Sequence, residues 1–223
     1  MGHALDTIKE FFSTGGPFMY VNLVFSAVAV ALIIERTIAL FRASLPGTAF
    51  MAQLIKQVRE GQIERAMKLC AAAPNAALAR VLKAGLSRAN RGEQEVANAL
   101  EEAILEVTPT LQKRIASLWS VANIATLTGL IGTISGLISS FKALGKASPS
   151  QKAELLSKGI SEAMNNTAFG LSIAVICIIG HLLLTNRSKS MIEELELNAM
   201  KLENLLARRQ NGDVNPAEQE RPI

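Results

Sequence analysis

Charge is missing where a soluble chain would need it. Ile115–Phe141 (IASLWSVANIATLTGLIGTISGLISSF) holds no Asp, Glu, Lys or Arg over 27 positions, and Pro17–Ile34 and Ala163–Asn186 lack formal charge in the same way if His181 is neutral. Aromatic residues make up only 4% of the chain. The two cysteines sit in unlike surroundings, Cys70 in a polar helical region and Cys177 in an apolar stretch, which argues against a disulfide and for no oxidising compartment. No group of His, Cys and carboxylates stands at metal-ligand spacing, and there is no Gly-rich phosphate loop and no nucleophile elbow, so no metal, no cofactor and no enzyme are expected. The net charge of +4 is spread through the polar regions without a basic patch, which excludes a nucleic-acid partner. No strand pattern occurs anywhere.

What remains is apolar and helical. The 223 residues are 49% hydrophobic, the balance of a membrane protein with a modest soluble part. The expected class is an all-α integral membrane protein with three transmembrane helices extended by long cytoplasmic helices. Residues 1–16 read as an amphipathic N-terminal lead, with Leu5, Ile8, Phe11 and Phe12 at helical spacing and without the marks of a signal peptide. The first span is 17–41, opened by Pro17 and closed near Glu35 and Arg36, which read as a boundary ion pair. Residues 42–114 form a cytoplasmic helical region with apolar stripes at Met51, Leu54, Ile55 and Val58 and at Ile63, Ala66, Met67 and Cys70. Its last helix opens at Glu93 and is expected to run into the second span with an adjustment at Pro109. The second span is 115–141, roughly 40 Å long as a helix, against a hydrocarbon core of about 30 Å. Residues 142–161 are a short polar link and 162–186 the third span. In 187–209, Ile192, Leu195, Ala199, Leu202 and Leu206 repeat at three-four spacing, the pattern of a helix that packs on copies of itself. Residues 210–223 read as a disordered tail.

The second span is not a lipid-facing rod. Asn123, Thr126, Thr133 and Ser140 share a broad stripe with Gly129, Gly132 and Gly136. Small and weakly polar groups should face protein or water, because lipid offers a polar group no partner. Orientation follows from charge. The long polar region has 11 Lys or Arg and the C-terminal region 6, against Lys9 alone in the lead. These two regions share a side, which should be the cytoplasm, with the N-terminus outside. The outer link runs against the rule, with Lys142, Lys146, Lys152 and Lys158.

Three stretches carry a family resemblance. Gly129-Leu130-Ile131-Gly132-Thr133-Ile134-Ser135-Gly136 is similar to the G-L-x-G-T-V-x-G core of the second span in the MotA/TolQ/ExbB proton-channel family. Ile160-Ser161-Glu162-Ala163-Met164-Asn165-Asn166-Thr167-Ala168-Phe169-Gly170-Leu171 resembles that family's I-S-E-A-L-x-x-T-A-x-G-L. Ile33-Ile34-Glu35-Arg36 resembles the close of its first span, and the three occur in family order. Three spans with a long first cytoplasmic loop are similar to the TolQ/ExbB branch. Two positions depart from it: Ala125-Thr126 stands where Ala-Pro is usual, and Val175-Ile176 where Ile-Pro is usual. The resemblance implies a homo-pentamer in a bacterial inner membrane, enclosing the single spans of an ExbD/TolR-like partner dimer that carries a membrane Asp. It implies a pore lined by Thr133 and Thr167 with Glu162 at the outer mouth, and proton flow that drives work at the cell envelope: transport, envelope maintenance or gliding.

The residues themselves keep other readings open. No span holds a deep acid or base, so a proton cycle needs a partner's carboxylate or His181. Without the resemblance, Thr133, Gly129, Gly132, Gly136 and Gly170 read as helix packing, and Glu162 equally as an acid at a helix N-terminus. His181 and Asn166 are minor pathway candidates. The bland reading makes His181 an interface residue and Asn166, like Asn123, an interhelical hydrogen bonder. The alternatives are a non-conducting membrane scaffold and a sodium-driven stator of the same architecture.

Overall fold

The computed structural model describes residues 16–145 and 148–210. Every regular element among them is a helix: α1 (Gly16–Ala43), α2 (Gly47–Arg59), α3 (Ile63–Ala71), α4 (Ala77–Ser87), α5 (Glu93–Gln112), α6 (Ile115–Leu144) and α7 (Pro149–Gln210). Apart from Gly16 and Gln210, the expected lead and tail lie outside the described residues, as does Lys146. The chain divides into two compact units. One takes α1 up to Arg36 together with Arg114–Leu184; the other takes Thr37–Lys113 and the chain from Thr185.

The first unit is a three-helix bundle whose inside is small. Ala29, Val121, Ala122, Ala125, Ile173, Ala174 and Cys177 form its core, with Phe25, Leu32 and Phe169 packed against it. The bulky residues point out: Val24, Leu127, Ile131, Ile134, Ile138, Leu171, Val175, Ile176 and Leu183 are all exposed. A soluble domain would bury them; an apolar outside over a small-residue inside suits a membrane bundle held by close backbone approach. Three helical stretches, Gly16–Arg59, Glu93–Leu144 and Pro149–Arg209, are long and apolar enough to cross a membrane.

The second unit is built like a soluble domain. Phe50, Met51, Leu54 and Val58 of α2, Leu78, Val81, Leu82 and Leu86 of α4, and Val96, Leu100, Val107 and Leu111 of α5 are buried. The stripe expected to pack on other copies is already used. Leu195, Ala199, Leu202 and Leu206 are 4% exposed or less within the chain itself and Ile192 is half-buried, so the helix covers its own unit.

Two boundaries differ from expectation. The link expected over 142–161 is mostly helix: α6 continues to Leu144 and α7 starts at Pro149. The reason is local. Pro149 suits a first helical position, and Ser148-Pro149-Ser150-Gln151 follows the capping-box pattern, with Ser148 Oγ 3.0 Å from Gln151 Oε1. The helix expected to run into the second span with an adjustment at Pro109 is instead interrupted at Lys113–Arg114. Pro109 stays inside α5, flanked by Thr108 Oγ1, which donates to Ile104 O at 2.8 Å, and Thr110 Oγ1, which donates to Val107 O at 2.6 Å. Arg114 takes φ 59°, and it is the one non-glycine residue with positive φ among those described.

Candidate functional site

The site grows from glycines. A Cβ added at Gly170 would stand 2.6 Å from the Ala125 carbonyl oxygen and 3.3 Å from Gly129 Cα; one added at Gly129 would stand 2.9 Å from the Asn166 carbonyl oxygen. Both contacts are with backbone. α6 and α7 therefore touch main chain to main chain across Gly129 and Gly170, an approach open only to residues without side chains. Gly132 is less tight, since an added Cβ would have side-chain atoms nearest it, Asn166 Cγ and Phe18 Cβ at 3.0 Å, and one at Gly136 would meet Ala163 alone, with Cβ nearest at 3.3 Å.

This closeness brings Thr133 and Thr167 together. Their hydroxyls are in direct hydrogen-bond contact. Thr133 Oγ1 also lies 3.1 Å from Gly129 O, one turn back on its own helix, and 3.1 Å from Ala163 O across on α7. Thr167 Oγ1 reaches back to Gly129 O at 3.4 Å. Two hydroxyl protons thus face two carbonyl oxygens and two hydroxyl oxygens. Each proton can donate to only one acceptor at a time, so the pair has more than one hydrogen-bond arrangement of similar geometry. Both threonines are half-buried.

The other polar residues of the expected stripe do not join them. Thr126 donates to Ala122 O at 3.0 Å and Ser140 to Gly136 O at 2.8 Å, each within α6. Asn123, expected to bond between helices, is exposed and donates to Trp119 O of its own helix at 3.1 Å. Hydroxyls and amides four residues past a carbonyl satisfy themselves on their own helix unless a neighbour comes very near.

Glu162 stands well inside α7, so the reading of it as an acid at that helix's N-terminus fails. Its carboxylate lies against the start of another helix: Oε1 is 3.1 Å from where a Cβ on Gly16 would sit. The positive end of α1 favours an acid there. Glu162 also lines an open cavity of about 320 Å³ shared with Ser135, Ser139, Ser140, Lys158 and Asn166. Asn166 is 3% exposed and forms the inner wall of that cavity beside Gly132.

His181 belongs to a separate cluster at the other end of the bundle. Its Nδ1 is 3.0 Å from Ile115 O, which as a carbonyl can only accept, so the ring is protonated at Nδ1. Trp119 lies beside it, with ring centroids 6.1 Å apart. The expected Glu35–Arg36 pair exists at 2.8 Å, and Arg114 Nη1 completes it with contacts of 2.8 and 2.9 Å to the two Glu35 oxygens. Sequence reasoning missed Arg114, because 79 residues separate it from its partner. It also missed Asn22, although the signal was there: a single amide in an otherwise apolar span. Asn22 is fully buried against Gly170. Among the described residues no group of three or more potential metal ligands is found.

A bundle of three apolar helices, locked by glycines around a paired hydroxyl site and continued by polar helices, defines a helical membrane protein packed through small residues. The comparisons with known proteins agree. The model of the MotA/TolQ/ExbB proton channel family matches residues 73–197, more than half of the chain, and the chain belongs to that family. It is similar to a protein of Methanothermobacter thermautotrophicus named as a biopolymer transport protein ExbB homolog, 25% identical over 86% of this chain and 67% of that one. It is similar to a biopolymer transport protein, ExbB-like 3, of Synechocystis, 30% identical over 74% of this chain and 79% of that one. To the Tol-Pal system protein TolQ of Pseudomonas aeruginosa it is 27% identical over 53% of this chain and 56% of that one. These relatives support the TolQ/ExbB branch.

Proposed function

We propose that this chain is the ring-forming subunit of a proton-driven motor in a bacterial inner membrane. Five copies would surround the single spans of an ExbD/TolR-like partner dimer, with the C-terminus in the cytoplasm. The observation that supports this reading is the Thr133–Thr167 pair, which places two hydroxyls side by side where the chain itself has no acid or base. A carboxylate brought there by a partner needs donors when charged and an acceptor when protonated. A hydroxyl pair supplies either by turning its protons. Holding a charged Asp at mid-bilayer costs about 2.5–3.5 kcal/mol on insertion scales, and hydrogen bonds from two hydroxyls offset part of that. One charge crossing 100 mV releases about 2.3 kcal/mol, enough to repack a few helix contacts. Glu162, and less directly Asn166 and His181, would line the path at its two ends.

Thr133→Val and Thr167→Val test the reading. Both keep shape and lose the hydroxyl, so the complex should assemble with its partner while proton flux and output fall to background; Thr→Ser should keep both. A second reading has its own support: the two hydroxyls already satisfy each other across the helix contact, as in a scaffold without ion flux. Normal output from both valine variants would establish that reading, and output that follows a sodium gradient would change the ion.

A further inference from the structure

Asn22 is the least explained polar residue in the bundle. It is 0% exposed, and neither its amide nitrogen nor its carbonyl oxygen has a hydrogen-bond partner among the described residues. An amide left so in an apolar interior is strongly unfavourable. Its surroundings suggest what completes it. Along α7, Glu162, Asn166 and Gly170 follow at four-residue steps on the side that meets α1. Glu162 lies by Gly16, Asn166 and Phe18 meet at Gly132, and Asn22 Nδ2 sits 3.3 Å from the vacant Cβ position of Gly170. The cavity ends at Asn166 and Phe18. Asn22 therefore stands one helical turn past that end, both along α1 (18 to 22) and along α7 (166 to 170). The cavity is open and has room for several waters. On its far side Gly170 touches Gly129, whose carbonyl oxygen lies within hydrogen-bond reach of both threonine hydroxyls.

We infer that the cavity and Asn22 form a water-binding inlet inside each protomer, with Asn22 holding a water one turn below the cavity and next to the threonine pair. The ligand is water, and hydrated protons with it. The inlet runs between α1 and the α6–α7 contact of one chain, so every protomer has its own. It needs Gly170, since any side chain there would fill the space beside the amide. The hydration stands whether or not protons flow; its use as a supply line rests on the proposed function.

Single cysteines at Ser139, Asn22 and Ala29, in a Cys70→Ser, Cys177→Ala background and with the partner co-expressed, read the inlet in native vesicles. The probe is silver ion, which is near the size of water and reacts with thiolate formed only where water reaches. Ser139→Cys should react at once and Asn22→Cys at least tenfold faster than Ala29→Cys, which lies in the dry core. Asn22→Cys reacting no faster than Ala29→Cys overturns the inference. Should Asn22→Cys fail to assemble, water-edited solid-state NMR on the wild-type complex decides. Transfer from water protons to the Asn22 amide within milliseconds supports the inlet, and its absence overturns it. Labelling of Asn22→Cys with proton flux absent would keep the inlet and refute the motor reading instead.

Discussion

Substituting Gly170 by alanine tests whether backbone contact holds the bundle. The new Cβ would sit 2.6 Å from Ala125 O, and ordinary contact begins at 3.4 Å, so α6 and α7 must part by about 0.8 Å at that point. The obstacle is a helix carbonyl and cannot swing aside. Overpacking of this kind costs about 1–3 kcal/mol, and a rigid obstacle belongs at the upper end. Alanine returns up to about 1 kcal/mol of helix propensity. The net expectation is a loss of about 2 kcal/mol. Gly136→Ala is the control: its Cβ meets Ala163 alone, with Cβ nearest at 3.3 Å and the backbone in ordinary contact at 3.5 Å or more, and the propensity gain should leave it near neutral. Gly129→Ala, with a carbonyl at 2.9 Å, should resemble Gly170→Ala. Reversible unfolding in mixed micelles of rising dodecyl sulfate fraction gives the differences directly. Equal losses at 136 and 170, or no loss at 170, would refute the argument that these glycines are set by main-chain approach.

Three further outcomes follow from the coordinates. Arg114 holds φ 59°, where a Cβ costs about 1–2 kcal/mol; Arg114→Gly and Arg114→Ala both lose the contact with Glu35, so the glycine variant should be more stable by that amount in the same unfolding assay, and equal stabilities would show the angle to be unstrained. The Cys70 thiol is pushed up to about 11 by burial, with Lys83 pulling weakly the other way. Its alkylation by iodoacetamide in the folded protein should stay slow through pH 9 and rise only near pH 11. Because the folded thiol holds its proton more tightly than the unfolded one, this site contributes stability below about pH 9 that is lost as pH rises toward 11. Fast labelling at pH 8 without unfolding would contradict the burial of Cys70. Replacing Leu202, fully buried in the polar unit, by alanine should cost about 2–5 kcal/mol of that unit's stability in urea; a change in subunit number without loss of stability would instead return the stripe to contacts between copies.

Much of the fold was legible because its signals are long. A run of 27 uncharged residues has few fates, and three-four spacing over several turns names a helix. Shorter signals were misplaced. The adjustment expected at Pro109 is not where the helix stops, since a proline in a helix removes one hydrogen bond without ending α5, whereas Arg114 turns the chain with its backbone at positive φ. The capping pattern at Ser148–Gln151 was present in the letters and outweighed by the polar composition around it. In the candidate site, Thr133, Thr167 and Glu162 could be named from resemblance, but which groups they meet could not.

The sequence by itself determined that this protein is helical, that it has three stretches able to cross a membrane, and that it belongs with proton-channel relatives. Hydrophobic length and period are properties of the chain alone. Tertiary structure decided which of many similar hydroxyls meet. Thr126, Thr133 and Ser140 look alike along α6, yet among these three only Thr133 is seen to bond across, reaching the Ala163 carbonyl on α7 beside the Gly129–Gly170 contact, while the other two turn back to their own helix. It decided too that Glu162 faces the start of α1 and that Asn22 is buried without a partner among the described residues. Such pairings depend on how each helix is rotated about its axis against its neighbours. Small residues set that rotation through contacts of a few tenths of an ångström, which no periodicity in the letters records.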